Sequence, residues 1–169
     1  FEQAYADLMS AYAIDSMDKG VLLDLSTVCD ELGRENEVFK YLFRIVEFDS
    51  TYYPAYINIG FKYQLLGSHE QAIQYFNKAV GFNPEDPLIY SNRSYSRLMT
   101  GDLKGAMQDI EKSIKMYPGN SYAYRNRALI YIAMEKFDEA CEDIQRALTT
   151  GFTEMYGDEV LSLQSKYCK

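Results

Sequence analysis

The sequence predicts an all-α solenoid of antiparallel helix hairpins, closed at its C-terminal end by a capping helix. Two observations lead there. Between Tyr53 and Asp86 the apolar residues fall in steps of three and four in two successive runs: Ala55, Tyr56, Ile59, Tyr63 and Leu66, then Ala72, Ile73, Phe76, Ala79 and Val80. That is the period of two amphipathic helices. The pattern then recurs every 34 residues, so that Ala72 is matched by Ala4, Val38, Ala106 and Ala140, Tyr56 by Tyr90 and Tyr124, and Gly60 by the small residues Ser26, Ser94 and Ala128. A hairpin of this length cannot bury its apolar face alone, so the copies must stack on one another.

In chain order, residues 1–18 read as the second helix of a repeat, because Phe1, Ala4, Leu8, Ala11 and Ile14 occupy the packing positions of that helix. This predicts a fragment of a longer protein, with the partner helix and any targeting signal upstream. Four hairpins follow without a linker, over residues 19–52, 53–86, 87–120 and 121–152. Their internal turns at Gly33, Gly67 and Gly101 suit a helix stop, since glycine accepts a left-handed backbone at low steric cost. In the last hairpin Glu135 takes that position, which weakens the signal. The turns between repeats use Asp15-Ser16, Asp49-Ser50, Asn83-Pro84 and Tyr117-Pro118-Gly119. Residues 153–169 form the cap: Gly151 ends the preceding helix, Asp158 or Thr153 starts the last one, and Val160, Leu163 and Tyr167 supply its single apolar face. No domain boundary is visible, so residues 1–169 are expected to act as one domain.

The order Tyr56, Ile59, Gly60, Tyr63, Ala72, Phe76 and Pro84 resembles the signature of the tetratricopeptide repeat family, with Tyr where that pattern has Trp. The units beginning at Pro87 and Ser121 resemble it well. The unit 19–52 departs from it, with Leu22, Cys29, Val38, Ile45 and Ser50 at signature positions, and its bulkier β-branched residues should spread that hairpin. The resemblance implies a right-handed superhelix whose first helices line a concave surface that holds a protein partner. It also implies the inner-face positions: Pro54, Ile57, Asn58 and Phe61, then Leu88, Ser91, Asn92 and Tyr95, then Tyr122, Arg125, Asn126 and Leu129.

Asn58, Asn92 and Asn126 fall one repeat apart and form a ladder of amides. An amide both donates and accepts, so the ladder could hold the backbone of an extended peptide, with Phe61, Tyr95 and Tyr122 meeting its side chains. The same asparagines could equally bond within the helix stack. Of the remaining aromatics, Tyr52 and Tyr53 are assigned to the binding surface as well. Arg93 and Arg127 stand where Leu25 and Ile59 stand in other repeats, and Asp109 and Asp143 where Tyr41 and Tyr75 stand. This paired exchange predicts structural ion pairs, either within a hairpin or from Asp109 to Arg127 across a repeat junction.

Family members that clamp the acidic tails of heat-shock chaperones use lysine and arginine on their first helices. Here those positions hold Leu23 or Ile57, Thr27 or Phe61, Leu88 or Tyr122, and Asn92 or Asn126, so the resemblance does not extend to that clamp. The net charge of −8 and the lack of a basic run argue against nucleic acid, whose phosphates demand clustered Lys and Arg. No apolar segment approaches the length of a membrane span.

Catalytic chemistry has no constellation to work with. His69, the lone histidine, starts a helix beside Glu70 and reads as an exposed turn residue. Cys29, Cys141 and Cys168 form no paired metal-ligand motif. Cys29 and Cys141 fall within helices and read as small packed side chains, favouring a reducing compartment, while Cys168 could oxidise or link chains. Carboxylate pairs such as Glu85-Asp86 and Asp138-Glu139 suit the positive ends of helix dipoles. The sequence therefore predicts a non-catalytic interaction scaffold, without metal or cofactor, that holds a peptide or a partner helix in its groove. Self-association through the terminal helices, as a homo-oligomer, is the alternative, as is a non-catalytic part of a larger enzyme.

Overall fold

The computed structural model describes residues 1–168. Among these the chain is helical, without strands: α1 (Glu2–Ile14), α2 (Lys19–Glu31), α3 (Glu35–Phe48), α4 (Tyr53–Leu65), α5 (His69–Phe82), α6 (Pro87–Met99), α7 (Leu103–Met116), α8 (Ser121–Ala133), α9 (Phe137–Thr149), α10 (Phe152–Tyr156) and α11 (Glu159–Tyr167). Helices α2/α3, α4/α5, α6/α7 and α8/α9 pair as antiparallel hairpins, each packed on the next. The first pair is the least closely packed of the four. Helix α4 touches α6 and α6 touches α8, while the second helices of successive hairpins make no comparable contact. From α4 to α8 the first helices therefore draw together on the inside of the curve while the second helices splay on the outside.

Each stop and restart has a local cause. Gly33, Gly67 and Gly101 end the first helices with φ near +69°, +73° and +84°, and in each turn a backbone N–H reaches back to a carbonyl of the last helical turn, as Ser68 N does to Tyr63 O at 2.9 Å. These are Schellman-type stops. Asp18, Asp86, Asp102 and Asn120 then start helices by accepting from first-turn backbone N–H groups that have no partner within the helix, at 2.9 Å for Asp86 to Leu88 N. Between repeats a tyrosine hydroxyl repeats the same fastening: Tyr56 donates to the Ser50 carbonyl at 2.9 Å and Tyr90 to the Pro84 carbonyl at 3.0 Å.

Glu135 keeps the turn geometry that its side chain disfavours. It sits at φ +59°, and Lys136 N still bonds the Tyr131 carbonyl at 2.9 Å. A left-handed backbone costs a residue with a Cβ about 1–2 kcal/mol, part of which glycine gives back through its looser unfolded state. Glu135→Gly is therefore expected to raise stability by about 0.5–1 kcal/mol, read as a shift in the urea midpoint.

The core is a chain of small clusters, one handed to the next. Leu22, Leu25, Val38, Leu42 and Ile45 form the first, Phe76, Ala72, Ala79 and Ile89 the next, then Ala106, Ile110, Ala123 and Ile130, and finally Ala128, Ile144, Ala147, Phe152 and Val160. Helix α1 has no buried residue; Tyr5, Leu8, Met9 and Tyr12 lean on the first cluster. The C-terminal segment holds one element that periodicity missed. Gly151, left-handed at φ +86°, stops α9, and the short helix α10 then drives Phe152 into the last cluster before α11 lays Val160 over it.

Candidate functional site: the concave face

The inner face is built by α2, α4, α6 and α8, with α10 and α11 walling its far end. Between α4, α6, α8 and this wall lies a hollow of about 400 Å³ lined by Phe61, Leu88, Ser91, Asn92, Asn120, Tyr122, Phe152, Tyr156 and Glu159. A second, of about 190 Å³, lies between α2 and α4 and is lined by residues that include Thr27, Glu31, Asn58 and Lys62. Phe61 belongs to both, so its ring stands on the ridge between them. Phe61, Leu88 and Tyr156 are 40%, 51% and 50% exposed. Large apolar side chains converging on one concavity, with nothing over them, are the ordinary composition of a recognition groove.

The inner-face positions divide into two groups. Asn58 is exposed and Asn92 half-buried, with open amides on the groove. Ile57, Tyr95, Tyr122 and Leu129 are half-buried along the same helices. Asn126, in contrast, is completely buried: its Nδ2 donates to the Ser91 carbonyl at 3.1 Å and its Oδ1 accepts from Arg125 Nη1 at 2.8 Å. The amide ladder thus presents two rungs, and the third bonds within the helix stack. Ser91 lines the hollow but is itself buried, its carbonyl also accepting from the Ser94 hydroxyl at 2.7 Å.

Arg125 does not reach outward either. It is buried in an ion pair with Glu159 of α11, its Nε donating to Oε2 at 3.0 Å, and its guanidinium lies 5.0 Å from the Tyr95 ring and 5.2 Å from the Tyr122 ring. It anchors the cap to the groove. Burial pushes the Tyr122 phenol above its ordinary value, so the hydroxyl stays a donor. Tyr122 also stacks on Phe152 and packs at a tilt against Tyr156, at centroid distances of 6.1 and 5.3 Å. Phe152, Tyr156 and Glu159 escaped sequence reasoning because they have no counterpart in the repeats; the only hint was an aromatic pair just after the Gly151 stop. Tyr52 and Tyr53, assigned above to the binding surface, pack instead against the core clusters, and Lys19 Nζ sits 4.6 Å over the Tyr52 ring.

Ion pairs brace the hairpins from within. Arg93 Nε and Nη2 meet the Asp109 carboxylate at 2.7 and 2.6 Å, Arg93 Nη1 meets Asn77 Oδ1 at 2.7 Å, and Arg97 adds a 3.0 Å contact to Asp109. Arg127 repeats the fork on Asp143 at 2.6 and 2.7 Å, and the hydrogen bond to that carboxylate raises the Arg127 guanidinium above its ordinary value. Both pairs join the two helices of one hairpin, and Asp109 turns to Arg93 rather than to Arg127 across the junction.

Two further expectations need correction. Cys141 does not pack as a free thiol: it forms a disulfide with Cys168, 27 residues away, because α11 folds back along α9 and brings the two Cα atoms to 5.6 Å. Cys29 is the free, buried cysteine, its thiol pushed up chiefly by burial. The bridge ties down the helix that carries Glu159. Cys168→Ser is expected to remove about 2–4 kcal/mol from the docking of this segment, seen as faster hydrogen exchange in α11 while α4–α7 are unchanged. His69, expected to be exposed, is half-buried with its ring 6.0 Å from Tyr95, edge to face. Among the described residues no cluster of His, Cys, Asp or Glu is arranged to hold a metal, and no helix is long and apolar enough to cross a membrane.

Two tetratricopeptide repeat models match, one over residues 53–86, which covers α4 and α5, and one over 110–142, which runs from within α7 through α8 into α9. The chain is a tetratricopeptide repeat protein. Solved structures share the fold at low identity. MamA superimposes with a TM-score of 0.72 at 23% identity, covering 89% of this chain and 88% of its own. A thermophilic tetratricopeptide repeat protein of Thermus thermophilus, TTC0263, gives 0.75 at 19%, covering 96% and 86%. Cut9, from the APC/C hetero-tetramer Cut9–Hcn1, gives 0.80 at 16%, covering 88% of this chain and 28% of its own. No curated protein matches the sequence. As a tetratricopeptide repeat protein the chain has the fold of a protein-interaction scaffold.

Proposed function

We propose that this tetratricopeptide repeat protein holds an extended peptide or a helix of a protein partner in the groove between α4, α6, α8 and the α10–α11 wall, without catalysis. The observation that carries this reading is the convergence of the exposed Phe61, Leu88 and Tyr156 on one hollow of about 400 Å³, beside the open amide of Asn92. Apolar anchors and an amide that can take a backbone N–H or C=O are what peptide recognition uses. Residues 1–169 act here as one unit, since the groove draws on the first helices of three hairpins and on the cap. Assembly with a partner chain is also the setting of Cut9, which occurs in a hetero-tetramer with Hcn1.

Selection of random dodecapeptides on the whole chain tests the reading. Binders are expected to lose about tenfold or more in affinity on Leu88→Glu, which puts a charge at the centre of the hollow, and nothing on Gln74→Glu on the outer helix α5. Binders indifferent to Leu88→Glu would rule out the groove. One feature favours the self-association reading: α1 leaves Ile14 90% exposed and buries nothing. A light-scattering mass of the isolated chain that doubles with concentration, and stays monomeric for Ile14→Lys, would establish that reading.

A further inference from the structure

The charges on the inner helices are divided unequally between those already engaged and those left open. Helices α2, α4, α6 and α8 carry six cations, Lys19, Lys62, Arg93, Arg97, Arg125 and Arg127. Every one is spent inside the molecule, on Asp49, Asp30, Asp109, Asp109 again, Glu159 and Asp143 respectively. Lys62, Arg93 and Arg125 are also buried, so none can turn outward without leaving a carboxylate unpaired. The same four helices carry three carboxylates, all on α2: Asp24, Asp30 and Glu31. Asp30 is paired with Lys62, whereas Asp24 and Glu31 are exposed and have no cationic partner among the described residues.

Their positions are those of the groove. Asp24 lies 34 residues before Asn58 and so occupies, on α2, the inner-face position that Asn58 and Asn92 hold on α4 and α6. Glu31 lines the smaller hollow beside Phe61. An acidic ligand would find no free cation anywhere along this face. A lysine or arginine would find two open carboxylates at the α2 end and the faces of Phe61 and Tyr156 beyond them, rings that attract a cation in their own right.

We propose that the occupant of the groove is a cationic peptide segment in which one or two Lys or Arg residues, seated against Asp24 and Glu31, precede or follow an apolar side chain seated among Phe61, Leu88 and Tyr156. The proposal rests on the groove reading above and names the chemistry of its ligand. It follows from charge complementarity along a surface whose cations are neutralised and whose carboxylates at one end are not.

The dodecapeptide selection decides it when repeated on Asp24→Lys/Glu31→Lys, whose substituted side chains are exposed and leave the core untouched. Peptides enriched on the unaltered chain should carry Lys or Arg together with aliphatic or aromatic residues, and synthetic copies measured by fluorescence polarisation should lose about tenfold in affinity on the charge-reversed chain, since two contacts turn repulsive. Their binding should also weaken as salt is raised. Peptides that depend on Leu88 but show no basic enrichment, or that are indifferent to the charge reversal, would overturn this proposal and leave the groove standing. If no binder depends on Leu88, the groove reading itself falls, and this inference with it.

Discussion

Asp109→Ala is expected to lower the unfolding free energy by about 3–5 kcal/mol, the usual cost of stranding one half of a buried ion pair. Asp109 accepts from two nitrogens of Arg93 and makes a further ionic contact with Arg97, so its loss leaves the buried Arg93 with Asn77 as its one side-chain hydrogen-bond partner among the described residues. Urea melts of the single variant measure this directly. The chain also contains the control, because Leu25 and Tyr41, or Ile59 and Tyr75, occupy the same two positions in the preceding hairpins. Arg93→Leu combined with Asp109→Tyr rebuilds that apolar pair, and is expected to recover most of the loss or exceed the original stability, since replacing both partners of a buried pair removes the desolvation penalty together with the attraction. Arg97 keeps Asp102 and the Gly105 carbonyl, at 3.7 and 3.2 Å, and is partly exposed, so it is less affected in either background.

Phe76→Ala is expected to cost about 3–5 kcal/mol, the range for deleting a fully buried aromatic ring. Its neighbour explains why a ring fits there. A Cβ placed on Gly60 would approach Phe76 Cε1 to 2.8 Å, so glycine makes the space that the ring fills. The other hairpins divide that volume differently: Ser26 faces the register of Leu42, Ser94 that of Ile110, and Ala128 that of Ile144. Gly60→Ser alone is expected to cost about 1–3 kcal/mol through overpacking, offset in part by its better helix propensity. In a Phe76→Leu background, which rebuilds the Ser26 and Leu42 combination, the same substitution should cost less. A double-mutant cycle measured by urea melts reads the difference as a coupling energy, and additivity would show that the two side chains do not share one space.

Both predictions use equivalences that are visible in the sequence, and this marks how far it could be read. The hairpins, their turns at Gly33, Gly67 and Gly101, and the exchange of Leu/Tyr for Arg/Asp all follow from a repeat whose neighbours in space are neighbours in register. A pattern with one period carries its own geometry, because each residue meets partners a fixed number of positions away. The inner-face positions, Phe61, Leu88 and Asn92 among them, came from the family resemblance rather than from the period itself.

What the register could not decide is which equivalent positions become inequivalent when the stack ends. Asn58, Asn92 and Asn126 share one position, yet only Asn126 is buried, because Arg125 beside it bends to Glu159 on a helix that belongs to no repeat. The same closure brings Cys168 back to Cys141, and sets Phe152 and Tyr156 into the groove wall. Periodic contacts are local in the chain and so are written in its pattern. The closing contacts depend on where α10 and α11 turn back, a long-range choice made by the burial of Phe152 and Val160 against the last hairpin, and only the tertiary structure records it.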